Sequence, residues 1–246
     1  MLAKSGVGAH LFDPDDLRFL SAAALQELAA STHILSTIAP NADFDQDPVL
    51  LGHAGDLAGL VAAGSVRWAG YVSSTGVYGD WGGAWVDERS ELRAAAGKGA
   101  ARRRAEAAWL ALHAEHDLPL HIFRLGGIYG PGRSALNAAA AQAQLGSERA
   151  SQQRRARQRY TARCHVADVC AALAASMAAP CPGSIYNVAD DDPASRAEHR
   201  TRARGALEEK RVSNTKLKRE LGVRLIFPTY REGLAAIAAG DLAPFA

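Results

Sequence analysis

One stretch constrains this 246-residue chain more than any other: Trp68 to Asp80. The run Trp68-Ala69-Gly70-Tyr71-Val72 is apolar. It closes on Ser73, Ser74 and Thr75 and then breaks into a glycine-rich turn, Gly76-Val77-Tyr78-Gly79. A short apolar run bounded by a turn reads as a buried strand. In an open α/β sheet, ligands bind at the carboxyl ends of the strands. Hydroxyl groups at such an end are placed to meet a substrate oxygen, although they also suit a plain turn after a buried strand.

Composition narrows the field. Hydrophobic residues make up 48% of the chain, enough for a sizeable core, and the formal net charge of +2 gives no reason to expect a nucleic-acid partner. No apolar run approaches the roughly 20 residues of a membrane span, so no membrane partner is expected. The three cysteines, Cys164, Cys170 and Cys181, are an odd number without a Cys-x-x-Cys pair. That argues against disulfides and a zinc site and for a reducing compartment. Met1 to His10 has no apolar core, so it is not a secretory signal. The cytoplasm is expected, or an organelle if a longer precursor exists. No metal ligands are assigned.

The remaining chain alternates helix and strand. Asp13 with Pro14 can open a helix over 14–30, where Leu17, Leu20, Ala24, Leu25 and Leu28 recur at helical spacing. His33 to Ile38 reads as a strand and Asn41 to Gln46 as a polar loop. Asp47-Pro48 opens a second helix, with Asp47 as a sound N-cap. Gly79 to Trp85 forms a glycine- and tryptophan-rich loop, followed by a helix over 102–116 and a strand over 120–125. Ser147 to Arg163 carries six arginines (149, 154, 155, 157, 159 and 163) among Gln and Ser. It reads as a solvated segment, with a phosphate- or nucleic-acid-contacting patch as the alternative. A helix from His165 to about Ala178, a strand over 183–189, an irregular polar stretch over 190–209 and two C-terminal helices complete the chain. Gly222 stops the first of these helices. Such alternation argues for a parallel sheet with crossover helices.

Taken together, five segments resemble the extended short-chain dehydrogenases/reductases, the NAD-dependent epimerase/dehydratase group, and within it an atypical subgroup. Ser73-Ser74-Thr75-Gly76-Val77-Tyr78-Gly79 is similar to that family's Ser-Ser-x-x-Val-Tyr-Gly strand end. Phe123 to Gly132 resembles its Leu-Arg-x-x-Asn-x-Tyr-Gly-Pro-Gly segment. Arg163 to Val169, Gly183 to Val188, and Lys216 to Gly222 with Glu232-Gly233-Leu234 match later segments in order and spacing. The resemblance covers roughly residues 8–146 and 163–239. It implies an α/β fold, a Rossmann-like doubly wound parallel sheet lacking its first strands, with a small C-terminal lobe. Residues 1–146 would form a partial NAD(P)-binding core. Residues 147–246 would supply the rest of the core (164–189) and the substrate lobe.

The same resemblance implies roles. Ser74 takes the place of the catalytic serine, and Asp47 falls where extended members carry an active-site Asn. Asp13 matches the acid that contacts adenine. Ile38, Ala39 and Pro40 match the turn along the dinucleotide; Ser73 and Ile128 are further cofactor-side positions. The cofactor implied is NAD or NADP, the partner a small-molecule substrate, and the assembly a homodimer through helices 47–63 and 100–116. Two departures weigh against turnover and a third against a UDP-sugar substrate. No strand, Gly-x-x-Gly-x-x-Gly turn and helix precedes Asp13 to hold a pyrophosphate, so the sequence reads as N-terminally truncated. The Tyr-x-x-x-Lys slots fall on Lys98 and Arg102, leaving Arg102 the residue at the catalytic lysine position and no phenol for acid/base work. Gly127 replaces the Asn that binds a sugar-nucleotide phosphate. The expected function is therefore an impaired NAD(P)-dependent epimerase/dehydratase-like oxidoreductase. The alternatives are a non-catalytic dinucleotide-fold binding or sensor protein and an inactive fragment.

Overall fold

The structure is a computed structural model and describes residues 7–13, 19–40, 47–133, 160–193 and 209–240. At its centre lies a parallel sheet in the order β1-β2-β4-β7, formed by β1 (His33–Ser36), β2 (Trp68–Ser74), β4 (Leu120–Leu125) and β7 (Ser184–Val188). Both faces are covered, so the strands read as nearly continuous apolar runs. Side chains alternate across the pleat. Ala69, Tyr71, Leu120 and Ile122 face one core with Leu57, Trp109 and Leu112. That core is closed by α2 (Pro48–Ala62) and α3 (Gly97–His116). Trp68, Phe123, Leu125, Tyr186 and Val188 face the other core with Val169, Ala172 and Leu217. Here α4 (Val166–Ala178) and α5 (Thr215–Leu221) provide the cover.

Short elements finish the carboxyl edge of the sheet. The 3-10 turn Thr75–Tyr78 follows β2 directly. Strand β3 (Trp85–Val86) pairs in parallel with β8 (Arg211–Val212), and β5 (Gly127–Tyr129) with β6 (Arg163–His165). Val77, Tyr78, Val86, Ala189 and Val212 form a third apolar cluster that ties this edge to the C-terminal segment. The outer edge of β7 is covered by side chains: Asn187 N donates to Glu88 Oε1 at 2.7 Å, and Lys216 Nζ donates to the Ile185 carbonyl at 3.0 Å. Such covering removes an exposed ladder that would otherwise template aggregation. Among the described residues, no strand pairs with the outer edge of β1.

The structure corrects several boundaries. The first helix, α1, spans Ala22–Ala29 with Ser21 as its N-cap, so the helix expected over 14–30 does not run through 19–21, and its part over 14–18 lies outside the described residues. Phe19 and Leu20 stay outside it because the Leu20 amide donates to His53 Nε2 at 3.0 Å, and Phe19 packs edge-on against that ring. Residues 7–12 form neither helix nor strand. β1 stops at Ser36, short of Ile38. α3 begins at Gly97, a turn earlier than its apolar spacing suggests. Cys170 is exposed rather than core, whereas Cys164 is buried. The final helix, α6, spans Tyr230–Ala238 and starts with a capping box between Thr229 and Glu232. The polar loop 41–46 and most of the arginine-rich segment lie outside the described residues. Among the described helices, none is long and apolar enough to cross a membrane.

Candidate functional site

Ser74 ends β2 and is half-buried at the carboxyl edge. Its Oγ accepts the Gly76 amide at 3.1 Å, so the side chain also caps the turn that follows. The hydroxyl proton stays available to an outside oxygen, because an accepting hydroxyl still has its donor. The N-terminus of α3 comes very close to this turn. A Cβ built on Gly99 would lie 2.7 Å from the Gly76 carbonyl oxygen, a distance only glycine tolerates. That approach brings the Tyr-x-x-x-Lys slots to the end of β2. Lys98 is exposed. Arg102 is half-buried, and its Nη1 donates to the Val72 carbonyl. A guanidinium stays protonated and cannot shuttle a proton. Arg102 is therefore a fixed positive charge beside β2.

Asp47 departs from its expected role. It is 1% exposed and caps α2: Oδ1 accepts the amides of Val49 at 3.0 Å and Leu50 at 3.2 Å. Burial raises its pKa, while those amides, the Trp109 indole and the Arg102 charge act in the opposite direction. Ser73 is corrected as well. Expected along the cofactor, it points into the α3 side, where its hydroxyl donates to Glu106 Oε1 at 2.5 Å. This follows from the pleat, since Ser73 shares the face of Tyr71 and not that of Ser74. Ile128 is half-buried against the core beneath α4. Ile38 and Pro40 are half-buried and Ala39 exposed beyond β1, and Asp13 is half-buried.

Arg124, near the end of β4, is the centre of a network that the sequence did not show. Arg124 is 3% exposed, and its Nη2 donates to Glu106 Oε2 at 2.7 Å. Its Nε bonds the same carboxylate, and its Nη1 donates to the Tyr78 hydroxyl at 3.0 Å. Tyr78 in turn donates to Asn187 Oδ1 at 2.8 Å. Asn187 Nδ2 donates to the Ser213 carbonyl at 3.1 Å. The chain of bonds thus runs from α3 across β2, β4 and β7 to the C-terminal segment. Burial pushes the Tyr78 phenol up to about 12, despite the neighbouring Arg124. Tyr78 is therefore a structural donor and does not replace the missing acid/base. The available signal was Glu106, a carboxylate on the apolar face of α3 beside Ala105 and Trp109.

These features place the chain in a class: a parallel α/β fold with its hydroxyl-bearing strand end at the carboxyl edge. A family model, the NAD dependent epimerase/dehydratase family, matches residues 16–189. The chain belongs to that family. A comparison with curated proteins finds no match. Among solved structures, a conserved, functionally unknown protein from Silicibacter pomeroyi DSS is 36% identical, with 98% of this chain and 86% of that one covered and a TM-score of 0.74. The dTDP-glucose 4,6-dehydratase DesIV from Streptomyces venezuelae, with NAD and TYD bound, is 20% identical over 90% of this chain and 78% of that one, TM-score 0.68. The UDP-glucuronic acid 4-epimerase from Bacillus cereus, in complex with NAD, is 15% identical over 94% and 80%, TM-score 0.64. These last two likenesses show the fold: a Rossmann-like α/β sheet.

Proposed function

We propose that this chain is an NAD(P)-dependent epimerase/dehydratase-like oxidoreductase of the atypical short-chain group, acting on a small molecule and impaired as a catalyst. The observation that carries the reading is Ser74, half-buried at the carboxyl end of a central strand with its hydroxyl proton available. It sits in the family whose solved relatives hold NAD. The residues present fit only part of a dinucleotide. Ser74, Arg102 and the turn 38–40 suit the sheet edge where a nicotinamide and its ribose would lie. The described residues 7–12 form no helix whose N-terminus could hold a pyrophosphate. The cofactor would supply hydride chemistry. The chain's own contribution is to hold a substrate oxygen on Ser74 and to keep a fixed positive charge at Arg102. Lys98, not a phenol, stands in the place of the acid/base.

The test is Ser74→Ala in a sample with measurable NAD(P)-linked turnover. Loss of one hydroxyl donor to a reacting oxygen is expected to cost about a hundredfold in kcat/KM. Unchanged kcat/KM would remove Ser74 from the chemistry. A second reading, a binding protein that keeps the scaffold without turnover, is favoured by Lys98 and Arg102 in the acid/base slots. It predicts saturable cofactor binding and no turnover on any substrate tried. A homodimer through α2 and α3 remains part of the proposal.

A further inference from the structure

His53 lies on α2, 4% exposed, and joins that helix to the chain that leads into α1. Both nitrogens of its ring are in use. Nε2 accepts the Leu20 amide at 3.0 Å, and Nδ1 lies 2.8 Å from Asp56 Oδ2, one turn along α2. A ring nitrogen that accepts a bond carries no proton, so the imidazole is neutral, with its proton on Nδ1 and donated to Asp56. Two aromatic rings close over it. Phe19 packs edge-on with its centre 5.7 Å away, and Phe12 lies tilted at 5.9 Å. Phe19 also fills a notch in α2: a Cβ built on Gly52 would stand 2.2 Å from its Cδ1. Glycine inside a helix costs about 1 kcal/mol relative to alanine, and here it makes room for a ring from another segment.

A proton added to His53 acts on its two bonds in opposite ways. An imidazolium donates from both nitrogens and accepts at neither. The bond to Asp56 survives and gains charge. The bond to Leu20 does not, because two N–H groups would then face each other across 3.0 Å. We propose that His53 is a pH-sensitive clasp: neutral, it locks Phe19 and Leu20 onto α2; protonated, it stays with Asp56 and lets them go. Histidine is the side chain suited to this, since its charge changes across the physiological range. Opening uncovers Phe12, Phe19 and the notch at Gly52. The clasp needs neither a cofactor nor Ser74.

Among the described residues, Asp56 is the ion-pair partner of His53. The other titratable groups of the segments packed on the ring are His10 and Asp13, beside Phe12, and Glu27 on α1. His10 Nε2 lies 2.9 Å from Glu27 Oε2, a contact that a proton on His10 strengthens. Neither partner of that pair lies on α2. Falling pH therefore tightens one histidine contact and breaks the other, and substitution tells them apart.

The experiment is an NMR titration of the full chain from about pH 7.5 to about pH 5, the range across which histidines change charge. It follows the Leu20 amide and the carbon-bound ring protons of His53. Protection of the Leu20 amide, corrected for the intrinsic pH dependence of hydrogen exchange, is expected to fall about tenfold, with the midpoint of the His53 ring signals. The Tyr71 and Ile122 amides, in paired strands of the sheet, should keep their protection and so report that the fold is intact. His53→Gln should abolish the pH dependence, and His10→Gln should leave it in place. Gly52→Ala favours the helix but drives out Phe19, so Leu20 should be unprotected already at about pH 7.5. Three results would overturn the proposal: a Leu20 protection that does not change over the range, a transition that persists in His53→Gln or vanishes in His10→Gln, or full protection in Gly52→Ala. None involves NAD(P), so failure here leaves the oxidoreductase reading standing, and the reverse holds too.

Discussion

Two buried polar regions of this molecule differ in one respect. Around Arg124, every group has its partner: Glu106, Ser73, Tyr78 and Asn187 form a closed network under β2 and β4. Around Asp190 and around Asp47, groups equally buried are left open. Among the described residues, neither Asp190 oxygen has a partner of ordinary hydrogen-bond geometry, nor does Asp47 Oδ2, although the Trp109 indole lies close enough to lower the Asp47 pKa. A closed network in a low-dielectric interior rigidifies and specifies the fold, whereas an open one costs stability. The difference separates structure from function better than burial or charge does. The Arg124 network holds the sheet edge in shape, and the open carboxyls are the places where burial is left uncompensated.

The comparison breaks most sharply at Glu106. Glu106→Ala leaves the Arg124 guanidinium buried without its counter-charge, and should cost about 3–5 kcal/mol in chemical denaturation. A cost below 1 kcal/mol would mean that the network does not hold the fold together. At Asp190 the sign reverses. Its folded pKa of about 7, raised above all by burial, lies above the ordinary 3.8, so between these values the folded state binds the extra proton. The contribution of Asp190 to stability should therefore be largest below about pH 4, fall as pH rises toward 7 and level off above, by up to about 4 kcal/mol at about 1.4 kcal/mol per pH unit. Asp190→Asn should remove that slope and leave the variant the more stable protein at neutral pH. A slope unchanged in the variant would refute the assignment. The smallest effect is expected at Asp47: Asp47→Asn keeps the Oδ1 cap and replaces the unpartnered oxygen with a donor, so stability should stay within about 1 kcal/mol. A larger loss would show that the carboxylate carries more than a cap.

Much of this was legible in the sequence, and the parts that were not share a reason. β2, β4, β7 and α5 show in periodicity and turn residues, because both are local. The cap at Asp47 was legible for the same reason: Asp before Pro fits a helix start whatever lies around it. The direction of Ser73 was not, although the pleat that turns it away from Ser74 is itself local; a motif match ranked both serines as ligand-facing. The pairing of Trp85–Val86 with Arg211–Val212 joins residues 126 apart, in strands too short to leave a period. The three aspartates after β7, Asp190 to Asp192, read only as an irregular polar stretch. Their distinction arises from Lys218 and Arg231, which the fold brings back from the C-terminal segment to Asp191 and Asp192.

The most direct test of the functional account is a titration of the purified, folded chain with NADH and with NADPH, following nicotinamide fluorescence. The account predicts saturable binding of at least one of them. No change in fluorescence across the titration would contradict it, and would leave the family scaffold without its cofactor.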